Sequence, residues 1–359
     1  MNAPVPRPIR RSGEDRVEIL DQTRLPHERR WLALQNLAAV SHAIRAMQVR
    51  GAPLIGVTAA YGLALALAKD ASDTTLAAAF AELAATRPTA VNLHWALRRM
   101  RQHLQALPPE ARHDAAWREA DAIAGEDAAQ NRAIGQHGLA LLRQLAHPPA
   151  RPLQLMTHCN AGWLATVEQG TALAPIYAAH AAGMATHVWV SETRPRNQGL
   201  LTAWELREAG VPHTVIADNA AGLLMLQGQV DAVITGADRV AANGDVVNKV
   251  GTFLKALAAA HRGIPFYVAA PGSTLDFACP EGADIPIEER DGDELRQVTG
   301  QDAEGHVRRL TQLAGAEAVC NPAFDLTPAA LVTALITERG VCPASREGLL
   351  ALYPAGRHG

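Results

Sequence analysis

Aromatic side chains make up only 4% of this chain, and cysteine only 4 of its 359 residues. So few rings give no row of stacking platforms for single-stranded nucleic acid. The cysteines, at 159, 279, 320 and 342, never fall at Cys-x-x-Cys spacing, and no paired histidine motif accompanies them. Neither a zinc site nor a disulfide framework is expected, which leaves free thiols in a reducing cytoplasm. An excess of one charge is missing too. The formal net charge of −3 gives no electrostatic reason for a nucleic acid or an anionic membrane as partner. Long hydrophobic runs are absent: the longest, from Leu54 to Ala68, is broken by Thr58, Tyr61 and Gly62 and reads as a buried helix, not a membrane span. The stretch from Met1 to Arg16 is rich in Pro and Arg without an apolar run, so it is not read as a secretory signal.

What remains is an ordinary globular composition, 48% hydrophobic and 19% charged, with length for about two domains. Up to about residue 148 the pattern is mainly helical. Leu76–Ala85, Leu93–Ala106 and Ala128–Leu145 carry apolar residues at helical spacing. Pro108-Pro109 and Pro148-Pro149 interrupt it, and Val17–Leu20 reads as a short strand before a turn. After Pro152 the texture changes. Leu153–Thr157, His187–Ser191, His213–Ala217, Ala232–Thr235 and Pro265–Ala270 are short apolar runs, each followed by a polar turn and a helical pattern. The helix after the first run is expected from Leu164. Alternation of this kind implies a parallel sheet with helices on both faces. The expected fold is α/β: a helical N-terminal domain over residues 1–148, then a Rossmann-like, doubly wound parallel-sheet domain over residues 149–359.

Ligands of such sheets bind beyond the carboxyl ends of the strands, so the polar residues just after each run are the ones to weigh. Cys159 follows the first run in Thr157-His158-Cys159-Asn160. A thiol there, near a helix N-terminus, would be biased toward thiolate; the alternative is a half-buried structural cysteine. His158 beside it is not read as its partner, because adjacent residues point apart. Asp238 follows Ile234-Thr235-Gly236-Ala237 and is open between a general acid or base in apolar surroundings and a turn or capping residue. Arg50-Gly51-Ala52-Pro53 precedes the Leu54 helix. Free amides, a helix dipole and an arginine together make a phosphate cradle, against a plain loop with a solvated arginine. Arg87, Arg194, Arg196, Asn197, Gln198, Asn248 and Lys249 suit phosphate or sugar hydroxyls, and each taken singly reads equally as a solvated loop residue. Glu288-Glu289-Arg290 reads as exposed charge. No Gly-x-Gly-x-x-Gly follows a strand, which weakens a dehydrogenase reading.

Taken in order, these strings resemble the methylthioribose-1-phosphate isomerases. They are Val49-Arg50-Gly51-Ala52-Pro53, Arg87-Pro88-Thr89-Ala90-Val91-Asn92, Thr157-His158-Cys159-Asn160-Ala161-Gly162 and Glu192-Thr193-Arg194-Pro195 through Gln198-Gly199. Further along come Thr235-Gly236-Ala237-Asp238-Arg239, Asn248-Lys249-Val250-Gly251-Thr252, Ile285-Pro286-Ile287-Glu288-Glu289-Arg290 and Asn321-Pro322-Ala323-Phe324-Asp325. The resemblance implies an aldose–ketose isomerase of methionine salvage, usually a homodimer, with no metal and no organic cofactor. Position by position it implies Cys159 and Asp238 as the catalytic pair, with Arg50, Gly51, Ala52, Arg87, Gln198, Asn248 and Lys249 holding a small sugar phosphate. The same superfamily contains regulatory subunits of a translation-initiation exchange factor and ribose-1,5-bisphosphate isomerases. Binding without turnover, or another 1-phosphorylated pentose, are therefore the competing readings.

Overall fold

The computed structural model describes residues 7–145, 151–313, 315 and 317–354. The expected break at Pro148-Pro149 lies outside them. Three antiparallel strands come first: β1 (Ile9–Gly13), β2 (Arg16–Leu20) and β3 (Trp31–Leu34). The strand expected at Val17–Leu20 is the middle one; its neighbours escaped notice, β1 because four of its five residues are exposed. Helices follow: α1 (Leu37–Arg45), α2 (Ala52–Leu67), α3 (Asp73–Ala84), α4 (Val91–Gln105) and α5 (Pro109–Leu142). The side chain of Asn36 caps α1 by accepting from the Ala39 amide at 2.9 Å, and Ser72 caps α3. Apolar on every side, α2 runs through the middle of the first core, between Val40, Leu83, Leu97 and Trp117.

The second part holds β4 (Leu153–Thr157), α6 (Leu173–Ala181), β5 (Thr186–Ser191), α7 (Gln198–Glu208), β6 (His213–Ile216), α8 (Ala220–Leu226) and β7 (Ala232–Thr235). It continues with β8 (Arg239–Ala241), β9 (Val246–Lys249), α9 (Thr252–Arg262), β10 (Phe266–Ala269), β11 (Leu275–Asp276) and α10 (Asp293–Arg296). The last elements are β12 (Gln297–Gln301), β13 (Val307–Thr311), β14 (Phe324–Thr327), β15 (Ala334–Thr337), β16 (Gly340–Cys342) and α11 (Arg346–Leu352). The main sheet has the order β16-β15-β10-β7-β4-β5-β6. All its pairings are parallel except β15 with β16. Its six parallel strands, counted along the chain, lie 3-2-1-4-5-6, the order of a doubly wound sheet. Alternate side chains explain the apolar runs. Leu155, Ile234 and Ala269 pack under α5 and α6, while Met156, Val233 and Val268 pack under α8, α9 and α11.

Two expectations change. The helix expected from Leu164 is only a single 3-10 turn at Trp163–Ala165, and α6 begins at Leu173. Buried carboxylates of Glu205 and Asp127 take the amides of Trp163, Leu164 and Val167, and Gln169 and Gly170 turn the chain with positive φ. A second sheet, β11-β8-β9-β14, was not expected at all. It stands over the carboxyl ends of the main sheet and carries part of the site.

Candidate active site

β4 and β7 are neighbours in the sheet although β5 and β6 separate them in the chain. At such a switch point the connections leave in opposite directions and open a crevice. Cys159 lies two residues beyond β4 and Asp238 three beyond β7. The N-terminus of α2 supplies Arg50, Gly51 and Ala52, the α3–α4 loop Arg87, the start of α7 Gln198, and the end of β9 Asn248 and Lys249. Every one of these residues lines a single cleft, whose free space with its mouth is about 1130 Å³.

Part of the cleft is built for an anion. Gly51 has φ 93°, and a Cβ there would run into the backbone of Ala165, so only glycine brings the chain this close. No side chain caps α2, which leaves its first amides open. Arg50 is 7% exposed, and its Nη2 has no hydrogen-bond partner among the described residues. Burial pulls it down to about 10, so it stays charged at neutral pH. A buried cation with an unused donor beside a helix N-terminus awaits an anion. Arg87 is half-buried, its Nη2 3.4 Å from the Glu288 carboxylate. Gln198, 4% exposed, keeps its buried Oε1 without a hydrogen-bond partner among the described residues.

The same cleft holds the two groups expected to react. Cys159 adopts φ 64°. The thiolate expected from a helix dipole is not favoured, since the first α-helix after Cys159 begins only at Leu173. Burial instead pushes the thiol up, against the opposing pull of Lys249, Arg50 and the Asn160 amide. Asp238 leads into β8, not into a helix; its N–H donates to the Val247 carbonyl at 3.0 Å. Burial, joined by the like charge of Glu288, pushes its carboxyl up, against Lys249, Arg87 and Arg50. Lys249 is pushed down by burial and is held toward charge by Cys159 and Asp238. Its Nζ stands 4.7 Å from the centroid of Phe324, its register partner on β14. Asn248 donates to the Thr252 hydroxyl at 3.1 Å. The rest of the lining is largely apolar: Met47, Ile55, Ala161, Val247, Ile285 and Phe324.

Other candidates are engaged with partners of their own. Arg194 donates to the carbonyls of Pro195 and Leu295, and Arg196 pairs with Glu294 at 2.7 Å. The imidazole of His158 borders the cleft but is tied to the Val250 carbonyl at 2.8 Å; burial brings it down to about 3, so it is neutral. Glu288-Glu289-Arg290 is not simply exposed charge. Glu288 and Arg290 are half-buried and paired at 2.8 Å, and Glu288 reaches Arg87 inside the site. Phe324 and Ile285 went unassigned, although both stand in strings that carried the resemblance. Glu205 stands in no motif.

A family model described as the initiation factor 2 subunit family matches residues 48–344. The chain belongs to that family. Methylthioribose-1-phosphate isomerase of Dechloromonas aromatica is 69% identical over 357 residues, 99% of either chain. That of Rhodospirillum rubrum is 57% identical over 355 residues, 97% of this chain and 90% of the other. Among solved structures, 5-methylthioribose 1-phosphate isomerase from Pyrococcus horikoshii OT3 superposes with TM-score 0.85 at 38% identity, over 98% of this chain and 96% of that one. The translation initiation factor eIF-2B delta subunit from A. fulgidus superposes at 0.80, also at 38% identity, over 97% and 99%. Fold likeness alone does not choose between those two names. The much higher sequence identities do, and within the family the chain groups with the methylthioribose-1-phosphate isomerases.

Proposed function

We propose that this protein isomerises 5-methylthio-α-D-ribose 1-phosphate to 5-methylthio-D-ribulose 1-phosphate in methionine salvage, as a cytoplasmic homodimer. The observation that carries this reading is one cleft that holds an open cation cradle together with a carboxyl and a thiol both held toward their protonated forms. The substrate's phosphate sits on Arg50, Arg87 and the amides of Gly51 and Ala52. Gln198, Asn248 and Lys249 hold its hydroxyls.

The phosphate on C1 prevents a free aldehyde, so the ring must open with acid help. Protonated Asp238 gives its proton to the ring oxygen as the bond from that oxygen to C1 breaks. The hydrogen on C2 moves to C1 with its electron pair. The C2 hydroxyl becomes the carbonyl and returns its proton to the Asp238 carboxylate, which Lys249 and Arg87 stabilise in the interval. Atoms and protons balance, and Asp238 ends as it began. Removal of the C2 hydrogen as a proton would need a thiolate at Cys159. Burial opposes that, so Cys159 serves as an uncharged group packed against the migrating hydrogen in a site with apolar walls.

The test is turnover of substrate deuterated at C2, in ordinary water and without added metal. Ketose carrying full deuterium at C1 is the expected product. Wash-out of the label would replace the hydride route by an enediol route with Cys159 as base. Tight binding without ketose would overturn the enzymatic reading in favour of a sensor.

A further inference from the structure

The cleft explains what Cys159 faces, but not why a residue with a side chain holds a left-handed conformation there. We propose that Thr193 and Thr202 are positioning residues that grip both peptide groups of Cys159 and so aim its thiol into the cleft. The proposal rests on the catalytic reading of Cys159 given above.

The Cys159 N–H donates to Thr193 Oγ1 at 2.8 Å, and the Thr202 hydroxyl donates to the Cys159 carbonyl at 2.8 Å. Neither threonine has any exposed surface. A hydroxyl has one proton to give and lone pairs to receive. Thr193 gives its proton to the Ser191 carbonyl at 2.9 Å, which points a lone pair at Cys159. Thr193 is itself at φ 64°. It is held there by Asp218, which takes the Thr193 amide at 2.8 Å, the Arg194 amide at 2.7 Å and the Ser191 hydroxyl. On the other side Thr202 also accepts from Asn160 Nδ2 at 3.1 Å. Glu205, one turn further along α7, takes Asn160 Nδ2 at 2.7 Å and the amides of Trp163 and Leu164 at 2.8 and 3.1 Å. A Cβ on Gly162 would strike this carboxylate, so the loop lies directly against it.

The segment from Cys159 to Leu164 is thus fastened to α7, the helix whose first residue is Gln198. That fixes the thiol relative to a substrate-binding amide, not merely relative to the sheet. A loop that only needed to turn would carry glycine at φ 64°. Retaining cysteine there costs backbone strain, and strained residues held by their surroundings cluster where geometry serves chemistry.

Thr193→Val and Thr202→Val keep the shape and remove the hydroxyl. Each is expected to lower kcat by about 10- to 100-fold with KM within about twofold, as misplacing a group packed against the reacting atoms does. In the substrate-free enzyme, alkylation of Cys159 by iodoacetamide, followed by peptide mass across pH, is expected to become several-fold faster and to shift to lower pH as the thiol gains solvent. Thr193→Ser and Thr202→Ser should restore both. Packing alone would lower the melting temperature and leave the alkylation profile in place. If a valine variant does not fold, Asp218→Asn, which loosens Thr193 without adding a methyl group, is read the same way. Unchanged kcat and an unchanged alkylation profile would overturn the proposal. A C159A enzyme that still turns over would end the catalytic reading of Cys159, whereas the alkylation profiles would still show whether the threonines hold it.

Discussion

In one cleft, burial leaves the Arg50 guanidinium with an unused donor and holds a carboxyl and a thiol toward their uncharged forms. The physical cause is the same, and the outcomes differ because the groups differ. A guanidinium brought down to about 10 still keeps its proton at neutral pH, so desolvation only makes it more avid for an anion. A carboxyl can hold its proton when buried, so desolvation turns it into an acid. The guanidinium supplies charge for binding, and the carboxyl supplies a proton for the reaction.

That contrast breaks first at Asp238. Asp238→Asn removes the transferable proton and leaves the cradle intact. We expect kcat to fall by about 10²- to 10⁴-fold, the range for loss of a general acid, with KM changed by no more than a few-fold. In the wild type the protonated form is the active one. Activity should therefore fall as pH rises through the Asp238 value, and because that value is raised, the falling limb should lie above the ordinary carboxylate range. An enzyme whose D238N variant keeps near-normal kcat has its acid elsewhere.

In the binding cradle, Arg50→Gln should do the reverse. It removes charge-assisted hydrogen bonds worth about 1.5–3 kcal/mol each. KM for the sugar phosphate should rise by about 10- to 100-fold, with a smaller loss in kcat. Steady-state kinetics on both variants separates the two roles. If R50Q loses kcat and not KM, the phosphate is not bound at α2.

The parts of the cleft were unequally legible in the sequence. The strands leading to Cys159 and Asp238 are buried on both faces, so they appear as short apolar runs, and the residues after them could be weighed. The Arg50 cradle could be read from Gly51 and Pro53 before an apolar helix. The cover of the cleft could not. β8, β9, β11 and β14 are two to four residues long, and β9 pairs with β14 across more than seventy residues of chain. β12 and β13 form a hairpin whose second strand is fully exposed. The charge state of Cys159 was misjudged because it depended on a helix start that two buried carboxylates prevent. Nor is the helical-to-sheet division as clean as the texture change suggested. Ala115 to Ala128 of α5 belong to the first core and Ile134 to Leu142 to the sheet, so one helix serves both.

Glu288 links the cations to the acid, and it was missed because its partner Arg87 lies 201 residues away in the chain. It engages Arg87 at 3.4 Å and raises the carboxyl of Asp238 by like charge. Glu288→Gln should therefore act on binding and on the acid with opposite sign. Arg87 is released for the phosphate, so KM should fall or hold. Asp238 loses a neighbour that favours its proton, so the falling limb of kcat against pH should move to lower pH, and kcat at neutral pH should drop a few-fold. The size is small because both groups are only half-buried and water screens them, as it does ion pairs near the surface, which contribute about 0–1 kcal/mol. A pH series on this one variant reads both effects. A limb that stays in place, or a KM that rises as kcat falls, would mean that Glu288 serves only to hold Arg290 and Arg87, with the acid tuned by burial alone.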